Sequence, residues 1–131
     1  MPNDISDAEL SVLKILWQLR SGTVAAVRER FNELHGRELA YNTLLTFLKR
    51  LEQKGAVRVD KTREPYVYRP AQKEKSTLRM RVNRFVDTVF DGRADDLILH
   101  LLDDDALMPD ELERIRQRLA DTVRSRRGGR S

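Results

Sequence analysis

The chain has 131 residues, of which 35% are charged and 6% aromatic, with a net charge of +4 and no cysteine. That length suits one compact domain, or a small domain with an appendage. The missing cysteine excludes disulfides, thiolate metal sites and cysteine nucleophiles. No apolar run approaches the roughly 20 residues of a membrane span, and the polar stretch Met1–Asp7 lacks a signal core, so the expected compartment is the cytoplasm, with no membrane partner. The mild basic balance permits nucleic acid as a partner without demanding it.

The first helix opens at Ser6, with Glu9 three residues later completing a capping box and Ile5 and Leu10 at the positions of a hydrophobic staple. Leu10, Leu13, Ile15, Leu16, Trp17 and Leu19 give it a broad apolar surface, which places it in the core, and Ser21-Gly22 ends it. Thr23 is a good N-cap for a second helix. Val24, Val27, Phe31 and Leu34 form the buried stripe of that helix, Arg28 and Arg30 face outward, and Gly36 suits a left-handed C-terminal position. Arg37–Leu39 turns the chain into a third helix, Ala40–Leu51.

The third helix carries the function. Leu44, Phe47, Leu48 and Leu51 fall at i, i+3, i+4 and i+7 and make one buried stripe. Asn42, Thr43, Thr46, Lys49, Arg50 and Gln53 share the opposite face. These amides, hydroxyls and cations are the side chains that reach phosphates and base edges. An ordinary solvated face would carry Glu–Lys pairs at i,i+4, and this one has no acid before Glu52. A half-buried helix with a merely polar outside is the plainer alternative.

After Gly55 the pattern changes. Ala56–Asp60 alternates as a strand does, Tyr66–Arg69 does the same, and Lys61–Pro65 joins them as a charged loop. Helices in this order followed by a basic hairpin form a winged helix-turn-helix, whose last helix enters the major groove. Lys61 and Arg63 are then placed for the phosphate backbone or the minor groove, the alternative being a solvated loop.

Pro70-Ala71 marks a boundary, so residues 1–72 are expected to be the winged-helix domain. Beyond it Leu78, Val82, Phe85, Val86, Val89 and Phe90 stripe a long helix closed by Asp91-Gly92. Leu97, Ile98, Leu101 and Leu102 stripe a second helix, Ala94–Leu102. A third helix starts at Pro109, with Asp110 and Glu111 at the positive end of its dipole and Leu112, Ile115, Leu119 and Val123 on its apolar side. Three such helices cannot enclose a core of their own. Residues 73–124 are therefore expected to dimerise, with docking back onto the winged domain as the monomeric alternative. The whole is mainly α with a small β-hairpin: a winged helix-turn-helix domain followed by a helical dimerisation region. Residues 125–131 read as a basic, disordered tail.

Four segments, Ile5–Trp17, Thr23–Val27, Ala40–Gly55 with its Thr-x-x-Thr and Arg-Leu, and Tyr66–Pro70, together with the Phe90-Asp91-Gly92 turn and the acidic final helix, resemble the penicillinase-repressor (BlaI/MecI) family of bacterial transcription repressors. The resemblance spans nearly the full chain. It implies a homodimer that binds a palindromic double-stranded DNA operator and represses its target genes. Carried over by position, Thr43, Thr46 and Arg50 correspond to DNA-facing residues, and Tyr41 lies at the start of the recognition helix. Dimer contacts fall on the apolar stripes, at Leu78, Val82, Phe85, Val89, Leu97, Leu101, Leu112, Ile115 and Leu119.

Three positions depart from the family pattern. Leu45, often polar or basic in the family, borders the DNA face, where it either meets a thymine methyl or packs. Glu64-Pro65 stands where a wing glycine is usual. His100-Leu101 stands where antibiotic-responsive members carry the Asn-Phe bond cut by a sensor protease, so release by that same cut is in question. The copper-responsive relatives carry a C-terminal Cys cluster that this chain lacks.

An enzyme would need convergent acid, base or nucleophile groups. The sequence offers scattered His35 and His100, no Gly-rich phosphate loop and no nucleophile elbow, so neither catalysis nor a cofactor is expected. A winged helix serving only protein interaction or dimerisation, without specific DNA binding, is the other class, and it has no need of the polar face on the third helix. Regulation is expected to act on the dimer region, by proteolysis near the Asp103–Met108 connector or by another signal, rather than through a metal, which carboxylates alone hold poorly.

Overall fold

The computed structural model describes residues 4–128. Among them the order is α1 (Asp7–Leu19), α2 (Val24–His35), α3 (Tyr41–Gln53), β1 (Val57–Asp60), β2 (Val67–Pro70), α4 (Glu74–Val89), α5 (Ala94–Asp103) and α6 (Pro109–Gly128). The chain separates into two compact units, one through Met80 and one from Arg81, and the division falls within α4. The boundary expected near residue 72 lies just before that helix.

In the first unit, α1 starts as its sequence dictates. Ser6 Oγ accepts from the Glu9 N–H and the Glu9 carboxylate accepts from the Ser6 N–H, which satisfies two donors that a helix start leaves open. Val12, Leu13, Ile15 and Leu16 are buried, whereas Leu19, expected in the core, is exposed. Trp17 packs against the core edge, and its indole N–H donates to the Gln72 carbonyl at 3.0 Å. Thr23 caps α2 through the Ala26 N–H, and Gly36 ends it at φ +60°. Val24, Val27 and Phe31 reach the core, but Leu34 is 48% exposed. The stripe on α2 is therefore shorter than the spacing suggests, because its last turn runs past the packed helices.

Strands β1 and β2 pair antiparallel, Val57 opposite Pro70 and Asp60 opposite Val67. Residues Val57, Val59 and Tyr68 turn toward the helices. The free edge of β2 is also engaged: Gly22 and Tyr68 exchange both backbone hydrogen bonds, at 2.9 and 2.8 Å. This bridge ties the hairpin to the α1–α2 connection, a long-range contact with no local signal. One core joins α1, α2, α3 and the hairpin.

A buried ion pair closes this core at one end. Glu9, 2% exposed, receives Lys54 Nζ at 2.5 Å, and the same ammonium donates to the Asp4 carbonyl. Burial by itself would raise the Glu9 carboxyl pKa. The hydrogen bonds from Lys54 and Ser6 outweigh it and hold the group below its ordinary range. The start of α1 is thereby fastened to the end of α3.

In the second unit, Pro109 opens α6 as expected, and the Glu111 carboxylate accepts from the Met108 N–H at 2.8 Å. Among the described residues of this unit, Val86 is the buried hydrophobic side chain. Val82, Phe85, Val89, Leu101, Leu112, Ile115 and Leu119 are all exposed, and Leu97 is half-buried. Leu78, in the first half of α4, is half-buried as well. Helix α6 runs through Gly128, so the stretch read as a disordered tail is helical from 125 to 128, and its remainder, 129–131, lies outside the described residues. No helix is long and apolar enough to cross a membrane among the described residues.

Candidate nucleic-acid interface

Helix α3 is held by its own leucines. Leu44, Leu48 and Leu51 are wholly buried, which fixes the rotation of the helix about its axis. Its start is fixed by α2. Arg28 Nε donates to the Leu39 carbonyl at 2.6 Å, and the Leu39 N–H donates to Asn32 Oδ1 at 2.8 Å, so both backbone groups of one turn residue are engaged. Arg28, expected to face outward, is thus partly buried and occupied with the turn. The N-cap of α3 is Ala40, and no side chain caps it. Together the leucines, the turn and the Glu9–Lys54 pair hold this helix as a rigid element.

With that rotation, Asn42, Thr43, Thr46, Lys49 and Arg50 are all exposed, and Tyr41 is 50% exposed. Thr46 Oγ1 donates to the Asn42 carbonyl at 2.9 Å, so its hydroxyl hydrogen is engaged and its oxygen keeps acceptor capacity. Leu45 is half-buried and packs against the core.

The candidate residues fall into two groups. Tyr41, Leu45 and Lys49 run along the edge of α3 beside the hairpin and line a cavity of about 340 Å³ with Glu64, Pro65, Tyr66 and Tyr68. Thr43, Thr46 and Arg50 do not line it and form the remaining outward edge. Lys61 and Arg63 are exposed on the hairpin. Lys61 also reaches back to α3, with Nζ 3.3 Å from Glu52 Oε2. This exposed pair couples the hairpin loosely to α3. Asp60 turns its carboxylate onto the Thr62 hydroxyl and N–H, whose hydrogen bonds lower its pKa, with Arg63 and Arg69 adding to the effect.

Two cations of this region escaped the sequence reading. Arg58 and Arg69 stand directly opposite each other across β1 and β2, both exposed. Strand alternation places each on the outer face, but only the register reveals that they are opposed partners.

A polar face on the third helix of a winged helix is what a DNA reader requires, and the family comparison agrees with it. The penicillinase repressor family model matches residues 5–121. The chain belongs to that family. Within it, the chain is 28% identical over 113 residues to the penicillinase repressor of Bacillus licheniformis, covering 86% of this chain and 87% of that protein. It is 25% identical over 113 residues to the methicillin resistance regulatory protein MecI of Mammaliicoccus sciuri, covering 86% and 90%. Among solved structures, RosR of H. salinarum superposes with a TM-score of 0.51 at 20% identity over 93% of this chain and 96% of that one, a likeness of fold. Penicillinase repressors are DNA-binding transcription regulators rather than a class of enzymes, and the winged helix described above is the part of the fold suited to that work.

Proposed function

We propose that this protein is a sequence-specific repressor that acts as a homodimer on a palindromic operator, with residues 1–72 reading DNA and residues 73–124 joining the two copies. The observation that carries the reading is the exposed row Asn42, Thr43, Thr46 and Arg50 on a helix whose opposite side, Leu44, Leu48 and Leu51, is wholly buried. A rigid helix with such a face presents hydroxyls, an amide and a guanidinium to the major groove in fixed register. Thr43, Thr46 and Arg50 read bases. Tyr41, Asn42 and Lys49 flank them toward phosphates, as Arg63 does from the hairpin. Lys61 contributes once it leaves Glu52, and Leu45 supports the helix from beneath.

Dimerisation is supported by the exposed apolar rows on α4, α5 and α6. Phe85 is 49% exposed, Val89 54% and Leu119 60%, an arrangement that a second copy would cover. Control by a sensor protease belongs to the same proposal: the turn after α5, at Asp104 and Asp105, is exposed and lies next to His100-Leu101. Titration of the purified protein with its preferred duplex and with random duplex, at two salt concentrations, tests the reading. Tight binding to the preferred duplex with strong discrimination supports it, and equal affinity for both contradicts it.

A further inference from the structure

The hairpin carries Arg58, Lys61, Arg63 and Arg69 against Asp60 and Glu64. Several of these charges are already engaged. Lys61 is paired with Glu52. The Asp60 carboxylate is taken up by Thr62. Arg58 and Arg69 are different, because the strand register sets them directly opposite each other on the exposed face of the sheet. Neither guanidinium makes a hydrogen bond or ion pair among the described residues, and the acid whose field reaches Arg69 is Asp60.

Like charges directly opposite one another on a sheet destabilise it. Opposed Cα atoms in an antiparallel pair lie about 4.5–5.5 Å apart, so the two guanidiniums leave the backbone close together and pointing the same way. The fold gains nothing from this arrangement. An anion placed between them removes the repulsion, and the planar fork of arginine matches the oxygens of a phosphate. The site has no enclosing walls and no acceptor aimed at a base edge, so it recognises charge and not sequence.

We propose that Arg58 and Arg69 form a phosphate clamp that grips the DNA backbone from the body of the wing, in addition to the loop residues Lys61 and Arg63. The clamp rests on the DNA-binding reading. It supplies affinity common to all duplexes and leaves discrimination to α3.

The test uses the full chain with Arg58→Gln, Arg69→Gln, the double substitution and the double lysine variant, each titrated with preferred and random duplex across a salt series. Loss of the clamp should weaken both duplexes by the same factor and make the log–log salt dependence shallower by about one for each phosphate contact removed. The lysine variant should keep the wild-type salt dependence with reduced affinity, since its charge remains and its fork does not. The thermal midpoint of the Gln variants should stay level or rise, because an opposed pair of like charges has gone. Wild-type affinity and salt dependence in the double Gln variant would overturn the clamp. So would a loss confined to the preferred duplex, or a fall in thermal midpoint that accounts for the weaker binding. Wild-type protein that binds no duplex at all would instead reject the DNA-binding reading, and the clamp with it.

Discussion

Thr46 shows how much a single side chain on α3 commits to in advance. Its hydroxyl hydrogen is given to the Asn42 carbonyl, so under the proposed reading it would meet a base as an acceptor. Arg50, one turn on, is exposed and carries a planar donor fork. Thr46→Ala and Arg50→Ala are each expected to cost about 1–3 kcal/mol on the preferred duplex and far less on random DNA. Competition binding measures this, and unchanged discrimination would remove the residue from the reading set. At the other end of α3, Lys54 answers Glu9. Substituting Met for Lys54 leaves a carboxylate that is 2% exposed without its cation. Breaking a buried pair costs about 3–5 kcal/mol, and because Lys54 is 21% exposed the lower end applies. The Glu9 pKa lies below the ordinary 4.5 in the folded protein, so its contribution is full above that value and is lost as pH falls through the lower, folded value. Urea unfolding at neutral pH and near pH 3 should therefore show a gap between wild type and Lys54→Met that narrows in acid. The Ser6–Glu9 capping box was legible because its members are three residues apart. The Lys54 partner was not, because 45 residues separate it from Glu9 and no local pattern links them.

Among the elements, α2 and the turn after it decide where α3 begins. Gly36 holds φ +60°, and a Cβ there would meet nothing within 4 Å. Gly36→Ala therefore adds backbone strain alone, about 1–2 kcal/mol. Chemical denaturation measures it, and a neutral result would mean that the turn can relax away from its left-handed residue. The helices of this unit were readable because caps and apolar spacing are local signals: Ser6, Thr23 and Gly36 sit where their chemistry is needed. The hairpin was readable as two strands, though not in register. Pairing Arg58 with Arg69 and bridging Gly22 to Tyr68 depend on contacts distant in sequence. Leu34 and Leu19 met the spacing rule and still lie exposed, because periodicity tells which face is apolar and not how far the neighbouring element extends. Likewise α6 continues to Gly128 through arginines whose composition suggested a tail, since arginine is a good helix former and the preceding turns are already in place.

For the molecule as a whole, the contrast between its two units governs what it can do. The first encloses a core of its own. The second leaves most of its apolar side chains exposed. A fragment ending at Met80 should fold as a monomer and bind the operator about 10²–10⁴-fold more weakly, because the second half-site no longer benefits from linkage. Sedimentation would show its state, and a stable dimer of that fragment would place the interface elsewhere. Under the proposed function, a face of α3 reads sequence in the grip of a two-fold dimer. The most direct test is selection of bound sites from random duplex DNA by the full chain and by Arg50→Ala in parallel. An enriched two-fold symmetric site is expected for the wild type, with information lost at the same position in each half-site for the variant. Selection that enriches no site, or the same site with undiminished information at every position for both proteins, would contradict it.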